Sequence, residues 1–272
     1  MEELTGNELI RDDEIFLRMN LAERVQHILL IFSFSLLVLT GLPLMFYELH
    51  VFKSIFGFAK AFYYRGVLHR FAAVILIVDI VWHFGYTILT RRGRDNFKEM
   101  IPRPKDALDA MVLFGYNVGL AGWLSRKGFL KAFFKRHPFW KFEKPPEYGR
   151  YNFIEKFEYL AVGWGSFVMI ISGFFMWNVE FSLKIFPLWV HDIFVIVHGY
   201  EAMLAFLAII IWHMYNVHLN PEVFPLSKIW INGKITGHEL KTLHALEYRK
   251  ILADRKEALE APEMESAPDP AP

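Results

Sequence analysis

Eleven histidines and no cysteine stand among the 272 residues of this chain. Without thiols there are no disulfides, iron–sulfur clusters, thiolate zinc sites, catalytic cysteines or covalently attached c-type haem, so imidazole is the main metal-ligand resource. Five histidines, His27, His69, His83, His198 and His213, fall in or at the ends of long apolar stretches. An ionisable side chain there is costly and by default a functional candidate. His198 and His213 lie 15 positions apart, and His69 and His83 lie 14 apart. On a helix these separations give about 22 and about 21 Å of rise, with facing differences of about 60° and about 40°. Each pair therefore looks broadly to one side of its helix at two depths.

If those two helices run in the same direction, His69 lies level with His198 and His83 with His213, while His27 competes with His83 for the second level. Two stacked sites of paired imidazoles suit two b haems, each iron held on both faces by neutral histidine. Zinc fits less well, because histidines 14–15 positions apart cannot share one ion. A proton-conducting chain could use Asp79 and Glu201, but it does not account for matched spacings on two helices. Gly41, Gly66, Gly173 and Gly199 lie within or beside the same stretches, where a missing Cβ admits either a flat macrocycle or a neighbouring helix.

The elements that position these residues are membrane spans. The sequence is 54% hydrophobic and 17% aromatic, only 22% is charged, and the net charge is +1. This is too apolar for an ordinary soluble domain, and too evenly charged for a basic nucleic-acid binder. Four stretches, from about Gln26 to Tyr47, Val67 to Thr90, Tyr159 to Val179 and Ile193 to Leu219, are each long enough to cross a bilayer. Trp and Tyr gather near their ends, as interface anchors do. Residues 91–150 carry fourteen Lys and Arg against six acids, whereas the connection from Asn178 to His191 has Lys184 as its only basic residue. The positive-inside rule then places the long loop and both termini in the cytoplasm. The acidic start of the chain does not read as a cleaved leader.

This gives three parts: a cytoplasmic N-terminal segment (1–24), a four-helix transmembrane domain (25–220, with the loop 91–150), and a cytoplasmic tail (221–272), expected to be disordered after about 257. An amphipathic helix is expected from Asp106 to Leu120, and the basic aromatic run from Arg126 to Trp140 is expected to lie under the membrane. The two halves also look duplicated. The segment from Asn20 to Gly41 parallels that from Asn152 to Gly173 at an offset of 132, and the stretch from His69 to His83 parallels that from His198 to His213. The fold expected is all-α: an integral-membrane four-helix bundle built from a repeated two-helix unit, with cytoplasmic amphipathic helices.

Several motifs resemble the cytochrome b (gamma) subunit of respiratory membrane-bound formate dehydrogenases, in a wider group of four-helix di-haem b subunits that also serves nickel–iron hydrogenases and thiosulfate reductases. They are Arg65-Gly66-Val67-Leu68-His69, Gly149-Arg150-Tyr151-Asn152, Val197-His198-Gly199, Trp212-His213-Met214-Tyr215 and the trailing Trp230 to Thr236. The resemblance implies that His69 and His198 ligate an outer haem b, that His27 and His213 ligate an inner one, and that menaquinone or another quinone binds near Asn152 and Glu155. Three features depart from the family pattern: a spacing of 15 instead of 14 on the fourth span, the extra His83, and a longer loop. His83 reopens the choice of inner ligand, and with His218 it would make room for a third haem. Asp79 and Glu201 stand one turn from His83 and His198, as orienting acceptors, proton carriers or residues facing a hydrated interior. His50 and His191 are expected at the outer surface, and His137, His238 and His244 in solvent.

The function expected is that of a multi-pass cytochrome in a bacterial or archaeal inner membrane. It would carry electrons between an outer-face oxidoreductase, bearing iron–sulfur clusters or multihaem cytochrome c, and the quinone pool, in a lipid bilayer and without nucleic acid. The alternatives are a His-bearing transporter or proton channel, which would show no visible absorption, and a membrane anchor without electron transfer.

Overall fold

The computed structural model describes residues 9–56, 60–119 and 144–265. After a short strand β1 (Ile15–Leu17), the helices are α1 (Leu21–Met45), α2 (His50–Phe56), α3 (Ala61–Leu89), α4 (Arg91–Met100), α5 (Pro104–Asn117), α6 (Phe153–Trp177), α7 (Val179–Ile185) and α8 (Leu188–Leu207). They are followed by α9 (Ile229–Asn232), strand β2 (Lys234–Thr236), α10 (Gly237–Leu243) and α11 (Ala245–Glu265). The protein is an all-α, multi-pass membrane protein, and among the described residues four helices are long and apolar enough to span: α1, α3, α6, and α8 continued to Leu219. Each begins about five or more residues before the apolar stretch itself, because helix propagation and capping, and not hydropathy, set where a helix starts.

Their packing is inverted relative to a soluble bundle. Large apolar side chains such as Leu39, Val81, Leu89 and Ile211 are more than 60% exposed on the outside of the helices, the side that lipid would cover. Most buried positions are instead polar or small, Gln26, Ser33 and Thr40 on α1, Ala72 and Asp79 on α3, and Ser172 on α6, with Leu76 on α3 a large apolar exception. Ser33, Thr40 and Ser172 each donate to the carbonyl one turn back, at 2.8, 2.6 and 2.7 Å, which satisfies the hydroxyl without a helix break.

The fourth span leaves α-geometry. From Ala208 to His213 and from Tyr215 to Leu219 it is π-helical, with bonds five residues apart such as Met214 N to Ile209 O. A π segment accommodates an extra residue without turning the downstream residues through a further α-helical step of about 100°. The fifteenth residue between His198 and His213 is absorbed in this way, so His213 keeps about the facing that a spacing of 14 would give.

The chain divides into two units. The membrane unit holds Met19–Phe97 and Glu158–Gly233; the other holds Met1–Arg18, Lys98–Phe157 and Lys234–Pro272. The second was not foreseen as a unit, because its parts are far apart in sequence. β1 and β2 pair antiparallel within it, with Phe16 opposite Ile235, and Ile10, Leu240 and Tyr248 form a small core with Phe16, Ile251 and Leu252. Glu247 accepts from Arg18 Nη1 at 2.7 Å and from Arg150 Nη1 at 2.9 Å. These two arginines are repeat partners at the same offset of 132. Extending the Asn20/Asn152 alignment two residues upstream would have found them.

Two expectations about this unit are corrected. The tail does not lose structure at 257, since α11 runs to Glu265. His244 is not solvated: it is 6% exposed, and its Nδ1–H donates to Gly149 O at 2.8 Å. The expected amphipathic helix is present as α5, with Pro104 at its first position and the Asp106 carboxylate accepting from Arg103 N at 2.6 Å. The basic run from Arg126 to Trp140, with His137, lies outside the described residues.

Burial and the nearby charge of Arg18 lower the His244 pKa to about 4. Below pH 6.5 the unfolded chain gains a proton that the folded one resists. Stability therefore falls with pH by up to about 1.4 kcal/mol per unit between about 6.5 and 4. Thermal unfolding in detergent at stepped pH should show this slope, and His244→Gln should remove it; an identical slope in the variant would reject the assignment.

Candidate functional site

At the end of the bundle where α1 finishes and α3 begins, His69 faces His198, with ring centroids 6.3 Å apart and planes at 64°. The Thr40 hydroxyl, already donating to Leu36 O, accepts from His69 Nδ1–H at 2.9 Å. Ser172, donating to Val168 O, accepts from His198 Nδ1–H at the same distance. Both rings are thereby held in the tautomer that leaves the Nε2 lone pair free. A Cβ built on Gly41 would stand 3.3 Å from His69 Cε1, and one on Gly173 would stand 3.1 Å from His198 Cε1. Glycine after Thr40 and after Ser172 is what lets each ring lie against the neighbouring helix. Gly66 and Gly199 have open space beside them.

At the opposite end His27 faces His213, with centroids 6.4 Å apart and planes at 52°. His213 Nδ1 is 2.9 Å from Glu158 Oε2, a carboxylate–histidine contact of the kind that orients a metal ligand. His27 also lies beside Trp230, with centroids 6.4 Å apart. His27 Nδ1, Trp230 Nε1, Arg24 Nε and Glu158 Oε1 are buried there without a hydrogen-bond partner among the described residues. Each pair thus has an arginine about one turn before one ligand position, Arg24 before His27 and Arg65 before His69, the Nε of each buried and without a partner among the described residues.

These pairs can be tested against a six-coordinate iron. A metal–imidazole bond is about 2.0–2.1 Å and a ring centroid lies about 1.1 Å behind its nitrogen, so two rings on one metal need centroids about 6.3 Å apart. The observed 6.3 and 6.4 Å fit this separation. Among the described residues no three His, Asp or Glu gather as a metal cage; the imidazoles meet in twos, which suits a haem whose other four ligands are its own nitrogens.

His83 is in a different position. Its Nδ1 is 3.0 Å from Gln26 Oε1 and its Nε2 is 2.9 Å from the Tyr159 hydroxyl. Both ring nitrogens are engaged, and neither His213 nor His218 is among its partners. His27, not His83, is the ring that meets His213. Asn152 and Glu155 make a reciprocal cap at the start of α6: Glu155 N donates to Asn152 Oδ1 at 2.8 Å, and Asn152 N donates to Glu155 Oε2 at 2.7 Å. Asn20 and Glu23 do the same at the start of α1, at 2.9 and 2.8 Å. The Asn-x-x-Glu spacing is thus the capping-box signature repeated in both halves.

Sequence reasoning missed the roles of Thr40, Ser172, Glu158, Gln26 and Tyr159. A usable signal was present, since each lies on the repeat alignment: Thr40 with Ser172, Gln26 with Glu158, His27 with Tyr159. Asp79 is 5% exposed, with Oδ1 unpartnered. The Glu201 carboxylate lies against Gly165, where a Cβ would stand 2.7 Å from it. His50 and His238 are exposed, and His191 Nδ1 is 3.4 Å from Ser182 Oγ. No family model and no curated protein matches the chain.

Proposed function

We propose that the protein is a membrane di-haem b cytochrome subunit, similar to the gamma subunit of formate dehydrogenases. It carries electrons between an outer-face oxidoreductase partner and the quinone pool of a bacterial or archaeal inner membrane, with both termini cytoplasmic. The observation that carries this reading is the spacing of the two imidazole pairs at 6.3 and 6.4 Å. The hydroxyl locks on His69 and His198 support it.

His69 and His198 would hold the outer haem, and His27 and His213 the inner one. When bound, the haems supply reversible one-electron chemistry across the span. The chain does the rest. Thr40 and Ser172 fix the tautomer of the outer ligands, and Glu158 orients His213. Arg24 and Arg65 offer guanidinium groups to carboxylates of a bound macrocycle. The apolar helices keep water from the ligands between the two levels, which are separated by about 21 Å of helix.

The test is to purify the chain in detergent and count haem by pyridine haemochrome alongside a reduced-minus-oxidised spectrum. About two b haems per chain are expected. A colourless, folded protein would overturn the reading in favour of a transporter or an inert anchor.

A further inference from the structure

Contacts at the Glu23 end of the bundle repeat themselves with one change of chemistry. His213 has His27 in front of it and Glu158 at its Nδ1. By the repeat, His27 corresponds to Tyr159 and Glu158 to Gln26, and with the π-helical residue discounted His213 corresponds to His83. In the structure His83 has Tyr159 in front of it, with rings 5.7 Å apart, and Gln26 at its Nδ1. The fold thus builds two equivalent positions at this level. One carries a pair of imidazoles at metal-bridging distance; in the other a tyrosine replaces one imidazole and bonds directly to His83.

This second position is built for a neutral hydrogen-bond acceptor. Gln26 is 6% exposed; its Oε1 is taken by His83, and its Nε2 is buried with no partner among the described residues. That leaves an amide donor without an acceptor. Tyr159 lies edge-on to Phe97, with centroids 6.3 Å apart, and His83 edge-on to Phe84 at 6.4 Å. These give a planar head group aromatic surfaces. The nearest acids work against an anionic ligand: Asp79 is one turn before His83, and Glu23 one turn before Gln26. Glu23 is held by Arg92, Asn96 and Tyr86.

We propose that Gln26, His83 and Tyr159 form the head-group site of a quinone: the Tyr159 O–H donates to His83 Nε2, His83 Nδ1–H donates to Gln26 Oε1, and the Gln26 amide so held donates its Nε2–H to a carbonyl oxygen. The inference rests on the cytochrome reading above and locates its quinone at the repeat partner of the inner haem position. The Asn152 and Glu155 side chains, by contrast, are spent on a helix cap. The isoprenoid tail of the ligand would leave into lipid.

The experiment uses the full chain in detergent and an azido-naphthoquinone photoprobe, with labelled residues mapped by mass spectrometry and haem counted in the same samples. Label is expected around Phe84, Phe97 and Tyr159. Gln26→Leu should lower it about tenfold, the effect of losing one well-made hydrogen bond to a bound ligand, and Tyr159→Phe, which releases the His83 ring that holds Gln26, should lower it by a smaller factor, both with haem content and spectrum unchanged. Label centred on Asn152 and Glu155, or unchanged in both variants, overturns the assignment while leaving the cytochrome reading intact. A third haem lost on His83→Ala also overturns it, and a chain purified without haem removes the reading beneath it. The wild-type label map decides the matter even if a variant fails to fold.

Discussion

Replacing His198 with alanine is expected to leave about one b haem per chain where the wild type has about two. The geometry makes the effect large. His198 and His69 form a pair at 6.3 Å, and among the described residues no second imidazole pairs with His69. Alanine also removes the Nδ1–H that Ser172 Oγ accepts, in a part of the bundle where Ser172 is 2% exposed and keeps its bond to Val168 O. A milder change should follow the same logic: Ser172→Ala frees the ring to change tautomer and rotamer, and outer-shell partners of this kind are worth about 10–100-fold in metal affinity. Ser172→Thr, which restores the hydroxyl that Thr40 supplies in the other half, should recover most of it. The measurement is pyridine haemochrome with a redox titration. An unchanged haem count in His198→Ala would remove this pair from the cofactor site.

The second large expectation separates three histidines that the sequence could not separate. His27→Ala and His213→Ala should each cost the inner haem, whereas His83→Ala should keep both. His83 stands on the same helix face as His69 and at the level of His213, so spacing alone favours it at least as much as His27. What decides is direction. His27 meets His213 at 6.4 Å, while His83 is bonded at both nitrogens to Gln26 and Tyr159. Reduced-minus-oxidised spectra of the three variants should show the loss of one component in the first two only. Loss of haem in His83→Ala, with none in His27→Ala, would reverse the assignment.

These cases show what the residues disclose and what they withhold. Four spans were legible because a bilayer demands about 20 apolar residues in a row, and the helices overrun those stretches only at their ends. The pairing of His69 with His198 was legible because both sit at matching points of a repeat. The helix irregularity that reconciles 15 residues with 14 was not, since a π segment carries no compositional mark and shows itself only in backbone bonding. Asn152 and Glu155 illustrate the opposite difficulty. The family resemblance implies a quinone beside them, whereas their Asn-x-x-Glu spacing closes a helix cap. His244 looked solvated because it lies beyond the last span, in a stretch of the chain that reads as polar. Its burial depends on Gly149, far away along the chain.

Glu247 receives Arg18 from 229 positions upstream as well as Arg150, and β2 pairs with a strand that precedes the first span. During synthesis, at about 5–20 residues per second, Arg18 therefore waits about 10–50 seconds for its acceptor. All four spans have left the ribosome by then. Membrane insertion and completion of this small unit are thus ordered in time by the chain itself. A chain cut short after Leu219 would carry every proposed haem ligand but leave Arg18 and Arg150 without their shared carboxylate.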